Sequence, residues 1–229
     1  MGTTGTGYFA VYFIVKCFMA SITNFINLKR SELDKPIYRV MPVYRLLECL
    51  EQKSLALVEP EKWDDPFENL LLKGFIKHSS TDAITNKIFR NSVYGQCWTY
   101  HRETDAMWRI YSPDKQGVKV KTTIRGLLDS LIYSSGDESS RACYIGKVQY
   151  LTQKDLVFKL SGISGMYGKN AAESLLYKRT EFKHEREVRL IYTMQSKDIN
   201  IYKFNIEPND LFNEIVFDPR MNKHIYEAY

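Results

Sequence analysis

A chain of 229 residues with 44% hydrophobic and 26% charged residues has ordinary globular composition, which excludes a disordered polypeptide and leaves room for one large domain or two small ones. Its net charge of +5 is spread without a block of Lys or Arg, so it attracts anions mildly but does not mark a nucleic-acid protein. The four cysteines, Cys17, Cys49, Cys97 and Cys143, form no C-x-x-C pair and have no histidine at zinc-ligand spacing, so reduced, mostly buried thiols of a cytosolic protein are expected, and no metal.

The N-terminal stretch from Tyr8 to Ile26 is nearly long enough to span a bilayer. Lys16 sits at its middle, where a charge costs about 2.5–3.5 kcal/mol on insertion scales. Ser21, Thr23 and Asn24 weaken its second half. Met1 to Gly7 lacks the Lys or Arg of a secretory signal. Two readings stand: a tail helix or weak anchor, and a spurious extension ahead of a true start at Met19. The second is favoured. Residues 1–26 are therefore set apart from one domain over 27–229, no membrane is expected unless residues 8–26 are a real anchor, and a cytoplasmic location follows.

After a polar stretch, Pro36 to Val40 reads as a strand. Pro42 opens a helix in which Val43, Leu46, Leu47 and Leu50 recur at helical spacing. Ser54 to Val58 is the next strand, closed by Pro60. Trp63 to Asn69 is a turn signal before an apolar run over Leu70 to Ile76, and residues 79–93 form a polar helix. Tyr94 to Thr99 is a strand, Glu103 to Tyr111 a helix, Val118 to Lys121 a strand and Ile124 to Tyr133 an amphipathic helix. A loop at 134–141 precedes a strand over Tyr144 to Leu151. Gly162 to Gly168 is a break, and Ala171 to Lys178 is helical. Glu185 to Tyr192 alternates, with Val188, Leu190 and Tyr192 on one face and Glu185, Glu187 and Arg189 on the other. Strands at Ile199 to Asn205 and Glu214 to Phe217 precede a short terminal helix or tail. Without repeats or composition shifts, this pattern is an α+β single domain with a mixed, mostly antiparallel sheet and flanking helices.

Glu185, Glu187 and Arg189 are the first candidate site. On spacing alone such a row is usually a solvated sheet face. Facing a cleft, the paired carboxylates repel, one pKa rises and Arg189 offsets the other, an arrangement suited to acid/base work or to holding a ribose hydroxyl. Arg39, Asp65, Asp105, Trp108 and Arg109 stand beside strands or turns where a cleft could gather them. Thr99 and His101 end a strand, where binding groups collect, although a surface role is the better reading of His101. In Trp63 to Glu68, Asp64 reads as a cap of the next element, while Asp65 and Glu68 stay open. No nucleotide-binding, zinc-protease or serine-hydrolase motif is present. Glu181-Phe182-Lys183 has a metal-nuclease spacing, but three residues match by chance often. Nucleic acid as a partner is unsupported.

These segments, in order, form a larger pattern. It comprises Tyr38-Arg39, Asp64-Asp65-Pro66-Phe67-Glu68, Cys97-Trp98-Thr99 and Asp105-Ala106-Met107-Trp108-Arg109-Ile110-Tyr111. It continues with Gly117-Val118, Val148-Gln149-Tyr150, Lys178 through Phe182 to Glu185, Glu187 and Arg189, and a closing Ile215 to Arg220. Over about residues 37–221 the pattern resembles the bacterial family catalogued as domain of unknown function 2971. Asp64 for Asn and Trp98-Thr99 for Phe-Ser depart from it. The order of an early Arg strand, a Ser/Thr strand and a late Glu-x-Glu strand is also similar to ADP-ribosyltransferase-like NAD-binding domains. That likeness implies that Arg39 binds phosphate, Thr99 supports the fold around the ribose, and Trp98 or Trp108 stacks. It also implies that Arg189 completes the NAD site, with Glu187 catalytic and Glu185 orienting the acceptor. The expected function is then an NAD-using ADP-ribosyltransferase or NAD glycohydrolase, an effector in toxin or phage-defence systems, with an unknown acceptor or protein partner. The alternative is a non-catalytic ligand- or partner-binding module built on a structural Glu-Arg network.

Overall fold

The computed structural model describes residues 20–63, 93–161, 163, 168–193 and 200–229. In chain order the strands are β1 (Phe25–Ile26), β2 (Pro36–Pro42), β3 (Ser54–Val58), β4 (Val93–Thr99), β5 (Gly117–Thr123), β6 (Cys143–Lys147), β7 (Gln149–Leu151), β8 (Tyr177–Arg179), β9 (Glu187–Thr193), β10 (Ile201–Asn205) and β11 (Glu214–Phe217). The helices are α1 (Val43–Gln52), α2 (Asp105–Tyr111), α3 (Ile124–Ser135), α4 (Gln153–Ser161), α5 (Gly168–Ser174), α6 (Pro208–Leu211) and α7 (Lys223–Ala228). Together they make one α+β domain.

Nine strands form one sheet in the order β1-β6-β9-β4-β2-β5-β11, with β3 and β10 joined through β4. The pairing is antiparallel except between β1 and β6. β9 lies inside the sheet and is buried at all its positions. Val188, Leu190 and Tyr192 enter the larger core with Trp98, Ile37 and the α3 residues Leu127, Leu128 and Leu131. Ile191 enters a smaller core on the other side with Ala171, Ala172, Leu175 and Leu176. The remaining side chains of that second face are polar, and a strand covered on both sides holds such groups only when they are paired.

The helices follow their apolar spacing. In α3, Ile124, Leu127, Leu128, Leu131 and Ile132 are buried, and Thr123 Oγ1 caps the first turn by accepting from Gly126 N at 3.0 Å. In α1 the buried stripe is Val43, Leu46 and Cys49, while Leu47 and Leu50 are exposed. Helical rotation therefore replaces part of the expected stripe with the thiol. Lys53, in the left-handed region at φ 47°, ends α1 and turns the chain into β3.

The arrangement of β2, β3 and β4 sets the architecture of the site. β9 takes one whole edge of β4, from Val93↔Thr193 to Thr99↔Glu187. β2 and β3 share the other edge: β2 meets β4 at Tyr38↔Thr99 and β3 meets it at Val58↔Gly95. Between these two positions the sheet forks. One wing continues through β2 to β5 and β11, the other through β3 to β10.

Four expectations change. Phe25 and Ile26 are buried and pair with Ile145 and Gly146, and the Asn24 amide donates to the carbonyls of Ser140 and Cys143. Residues 24–26 therefore belong to the domain rather than to an apolar extension. The strand expected over 144–151 is two strands: Val148 N still follows the β9 register by donating to Glu187 O at 3.0 Å, but Gln149 N turns to Leu176 O at 2.7 Å and the chain then pairs with β8. Lys178, expected in a helix, lies on β8, which pairs in parallel with β7. Glu185 closes a 3-10 turn over Thr180–Glu185 rather than opening β9. The turn over 64–69, the apolar run over 70–76 and most of the helix expected over 79–93 lie outside the described residues. Among the described residues no helix is long and apolar enough to cross a membrane.

Candidate active site

The fork opens a cavity of about 200 Å³. Arg39 and Val40 of β2, Val58 of β3, and Gly95 to Thr99 of β4 line it, with Glu185 and Glu187 at its far end. By register, Tyr38, Thr99 and Glu187 share one face of the sheet. Arg39, one residue along, points to the other face. Because β2 and β3 part at this edge, both faces reach the same space.

Lys178 brings the two carboxylates together. Its Nζ donates to Glu185 Oε2 at 2.5 Å and to Glu187 Oε1 at 2.9 Å. Arg189 Nε donates to Glu187 Oε2 at 2.7 Å, and its Nη1 to Leu175 O at 2.7 Å. Among the described residues, two cations and two carboxylates thus meet as a quartet, each between 0% and 6% exposed. Local backbone features shape it. Arg186, left-handed at φ 47°, separates Glu185 from the strand so that both acids turn toward Lys178. Thr99 Oγ1 donates to Glu185 O at 2.6 Å and accepts from His101 N at 3.0 Å, fixing the bend from the neighbouring strand. Glu187 N donates to the Tyr150 hydroxyl at 2.8 Å.

The two acids have opposite electrostatics. Burial pushes Glu185 up to about 7, with the Glu187 carboxylate adding to the rise against the pull of Lys178. Burial also acts to raise Glu187, but Arg189 and Lys178 outweigh it and hold that carboxyl well below its ordinary value. The Tyr111 hydroxyl, at 3.4 Å from Glu185 Oε1, is raised by burial and by both acids. The surroundings thus favour the ionised form of Glu187 and the protonated form of Glu185.

Trp63 covers the quartet. The Arg189 guanidinium carbon sits 4.4 Å from its ring centroid, a cation–π contact in a desolvated setting. Gly95 makes this approach feasible, since a Cβ there would meet Trp63 Cζ2 at 2.6 Å. Arg39 has no hydrogen bond or ion pair among the described residues, and desolvation lowers its pKa to about 10. A guanidinium left without an anion at a cavity wall is a ready site for one.

The structure separates the sequence candidates. Arg39, Thr99, Trp98, Glu185 and Glu187 line the cavity. Trp98 is only 2% exposed, and its Nε1 donates to Gln96 Oε1 at 2.7 Å, so it is core wall rather than a free stacking platform. Arg189 is wholly buried and anchors Glu187 instead of reaching ligand. Trp108 is buried beneath α2, donates to Glu103 Oε1 at 3.1 Å and is not part of the lining. Asp105 and Arg109 pair with each other on the exposed face of α2. His101 Nε2 lies 2.6 Å from His184 O and ties two loops. Glu181 and Lys183 are exposed on the 3-10 turn rather than on a strand, and the described residues contain no group of three or more metal-ligating side chains. Asp64, Asp65 and Glu68 lie outside the described residues.

The residues that spacing alone missed are Lys178, Tyr111, Tyr150 and Trp63. The first three stand in the ordered motif pattern, which was the available signal. Their convergence depends on pairings between distant strands. In comparisons with known proteins the sequence matches no family model, no curated protein and no solved structure. The chemistry therefore rests on the geometry of the cleft.

Proposed function

We propose that the cleft binds NAD and cleaves its nicotinamide N-glycosidic bond, passing the ADP-ribosyl group to water or to an acceptor. The observation that carries this reading is the union, on one cavity, of a guanidinium, Arg39, that has no anion among the described residues with a carboxylate pair, Glu185 and Glu187, bridged by Lys178. An anionic nucleotide with a cationic leaving group needs both. Arg39 meets a phosphate. The ionised Glu187, held by Arg189 and Lys178, stabilises positive charge on the ribose C1′ as the bond electrons leave with neutral nicotinamide. Glu185, titrating near neutrality, takes the proton from the attacking water or acceptor hydroxyl. The roles are divided differently from the sequence expectation: Glu185 is the base and Glu187 the fixed charge. The products are nicotinamide, ADP-ribose or its adduct, and a proton. An activity of this kind suits an effector that depletes NAD or modifies a target.

A second reading has its own support. Both Glu187 oxygens are already engaged, and the quartet is almost fully buried, as in a structural ion network beneath a binding surface. Incubation with NAD separates the two. The first reading expects nicotinamide release by the wild type and its loss in a Glu185→Gln variant that remains folded. If the folded wild-type protein yields neither nicotinamide nor a modified acceptor, the second reading stands.

A further inference from the structure

A second cavity of about 340 Å³ adjoins the first and shares Arg39, Val40, Val58, Gln96 and Tyr111 with it. We propose that this second cavity is a subsite for a nucleoside diphosphate, in which the Glu48 carboxylate occupies the position that ligand phosphate takes. The proposal rests on the NAD reading for its place in a reaction, but binding at the subsite needs no turnover.

Three cations from three elements line the cavity: Arg39 of β2, Arg45 of α1 and Lys203 of β10. Glu48 is the one acid in the lining. Its Oε2 accepts from Arg45 Nη1 at 2.8 Å and its Oε1 from Lys203 Nζ at 3.0 Å. Lys203 also donates to Gln52 Oε1 at 2.8 Å. Arg45 and Lys203 thus meet on one carboxylate, and Arg39 has no anion among the described residues. The Arg45 and Lys203 side chains are 58% and 47% exposed, and ion pairs in that setting exchange partners at little cost. A diphosphate brings more charge and more acceptor oxygens than one carboxylate, and it can engage Arg39 together with Arg45 and Lys203. Leu55, Ala56 and Ile201 supply apolar wall beside these charges, which suits a nucleoside better than a bare phosphate.

Calorimetric titration of the full chain with ADP and with adenosine tests the subsite. ADP should bind at least about tenfold more tightly than adenosine, the worth of one charge-assisted hydrogen bond. The double variant Arg45→Ala/Lys203→Ala should lose about tenfold in ADP affinity and nothing in adenosine affinity. Glu48→Gln, which removes the competing anion while keeping the side-chain shape, should tighten ADP. ADP binding no tighter than adenosine, or unchanged in the double variant, overturns the subsite. The expected responses in a protein that releases no nicotinamide would support the subsite and reject only the glycosidic chemistry. Nicotinamide release without ADP binding would reject only the subsite.

Discussion

Lys178 holds two buried acids at once, so its removal is the most informative single perturbation. Lys178→Met keeps an unbranched aliphatic side chain and deletes the ammonium group, which bonds both acids and lies 4.4 Å from the Phe182 ring centroid. Glu187 retains Arg189, but Glu185 loses the one cation it pairs with among the described residues and faces an ionised neighbour. Breaking a buried pair in this way costs about 3–5 kcal/mol. Glu185 already sits near neutrality at about 7, and without Lys178 it rises further and takes up a proton. That proton limits the loss at pH 7 to the lower end, about 3 kcal/mol. At about 2–4 °C per kcal/mol for a chain of this size, the melting temperature should fall by roughly 6–12 °C. At pH 9 the proton is harder to keep, so the deficit should widen. Adding Glu185→Gln to Lys178→Met removes the orphaned acid and should recover much of the loss, a coupling that a double-mutant cycle measures directly. Differential scanning calorimetry at both pH values is the assay. A Lys178→Met protein melting within about 2 °C of wild type at both pH values, or one that Glu185→Gln fails to rescue, would refute the quartet as the organising feature of the site.

Glu185 also shapes the pH dependence of stability. Its folded-state pKa lies above the ordinary 4.5, so between about pH 4.5 and 7 the folded protein binds more protons than the unfolded chain. Stability then falls as pH rises through that window, by on the order of 3 kcal/mol. Glu187 acts oppositely, contributing stability above its unfolded pKa that is lost as pH falls below it. In urea titrations Glu185→Gln should remove the first slope, and parallel profiles for the two proteins would contradict the assignment. Arg220 clamps α2 by donating from Nη2 to the carbonyls of Trp108 and Ser112, both at 2.9 Å, and to buried Asp218 at 2.6 Å. Arg220→Ala leaves buried Asp218 without its cation and should lower stability in the same assay, and a variant as stable as wild type would show the clamp to be idle.

The strands were the legible part of the fold. Ser54–Val58 and Glu214–Phe217 match their expected bounds, because local alternation and flanking turn residues determine them. The acidic row was legible as a cluster, and Arg39 as its companion. The site's internal order was hidden by long-range effects. Leu175 to Lys178 continues the apolar spacing of α5, yet Tyr177–Arg179 is drawn into β8 by β7, and that pairing alone delivers Lys178 to the acids. Glu185 reads as the next alternating residue of β9 until the left-handed Arg186 ends the pattern, at a conformational cost that a non-glycine residue does not announce. Trp108 shows the reverse error. It lies near candidate residues in sequence, but helical rotation turns its indole toward Glu103 and away from the cleft. The fork itself arises because β2 and β3 compete for one edge of β4, which no local window contains.

Glu185 makes the cleft chemically competent only if it protonates near neutrality while its neighbour does not. Carbon-13 NMR of protein labelled at the glutamate side-chain carboxyls, followed from acid to alkaline pH, measures this directly. One carboxyl should titrate near 7 and vanish from the spectrum of Glu185→Gln, and another should remain ionised well into the acid range. If every glutamate carboxyl titrates together near its ordinary value, the divided pair does not exist and the proposed chemistry fails with it.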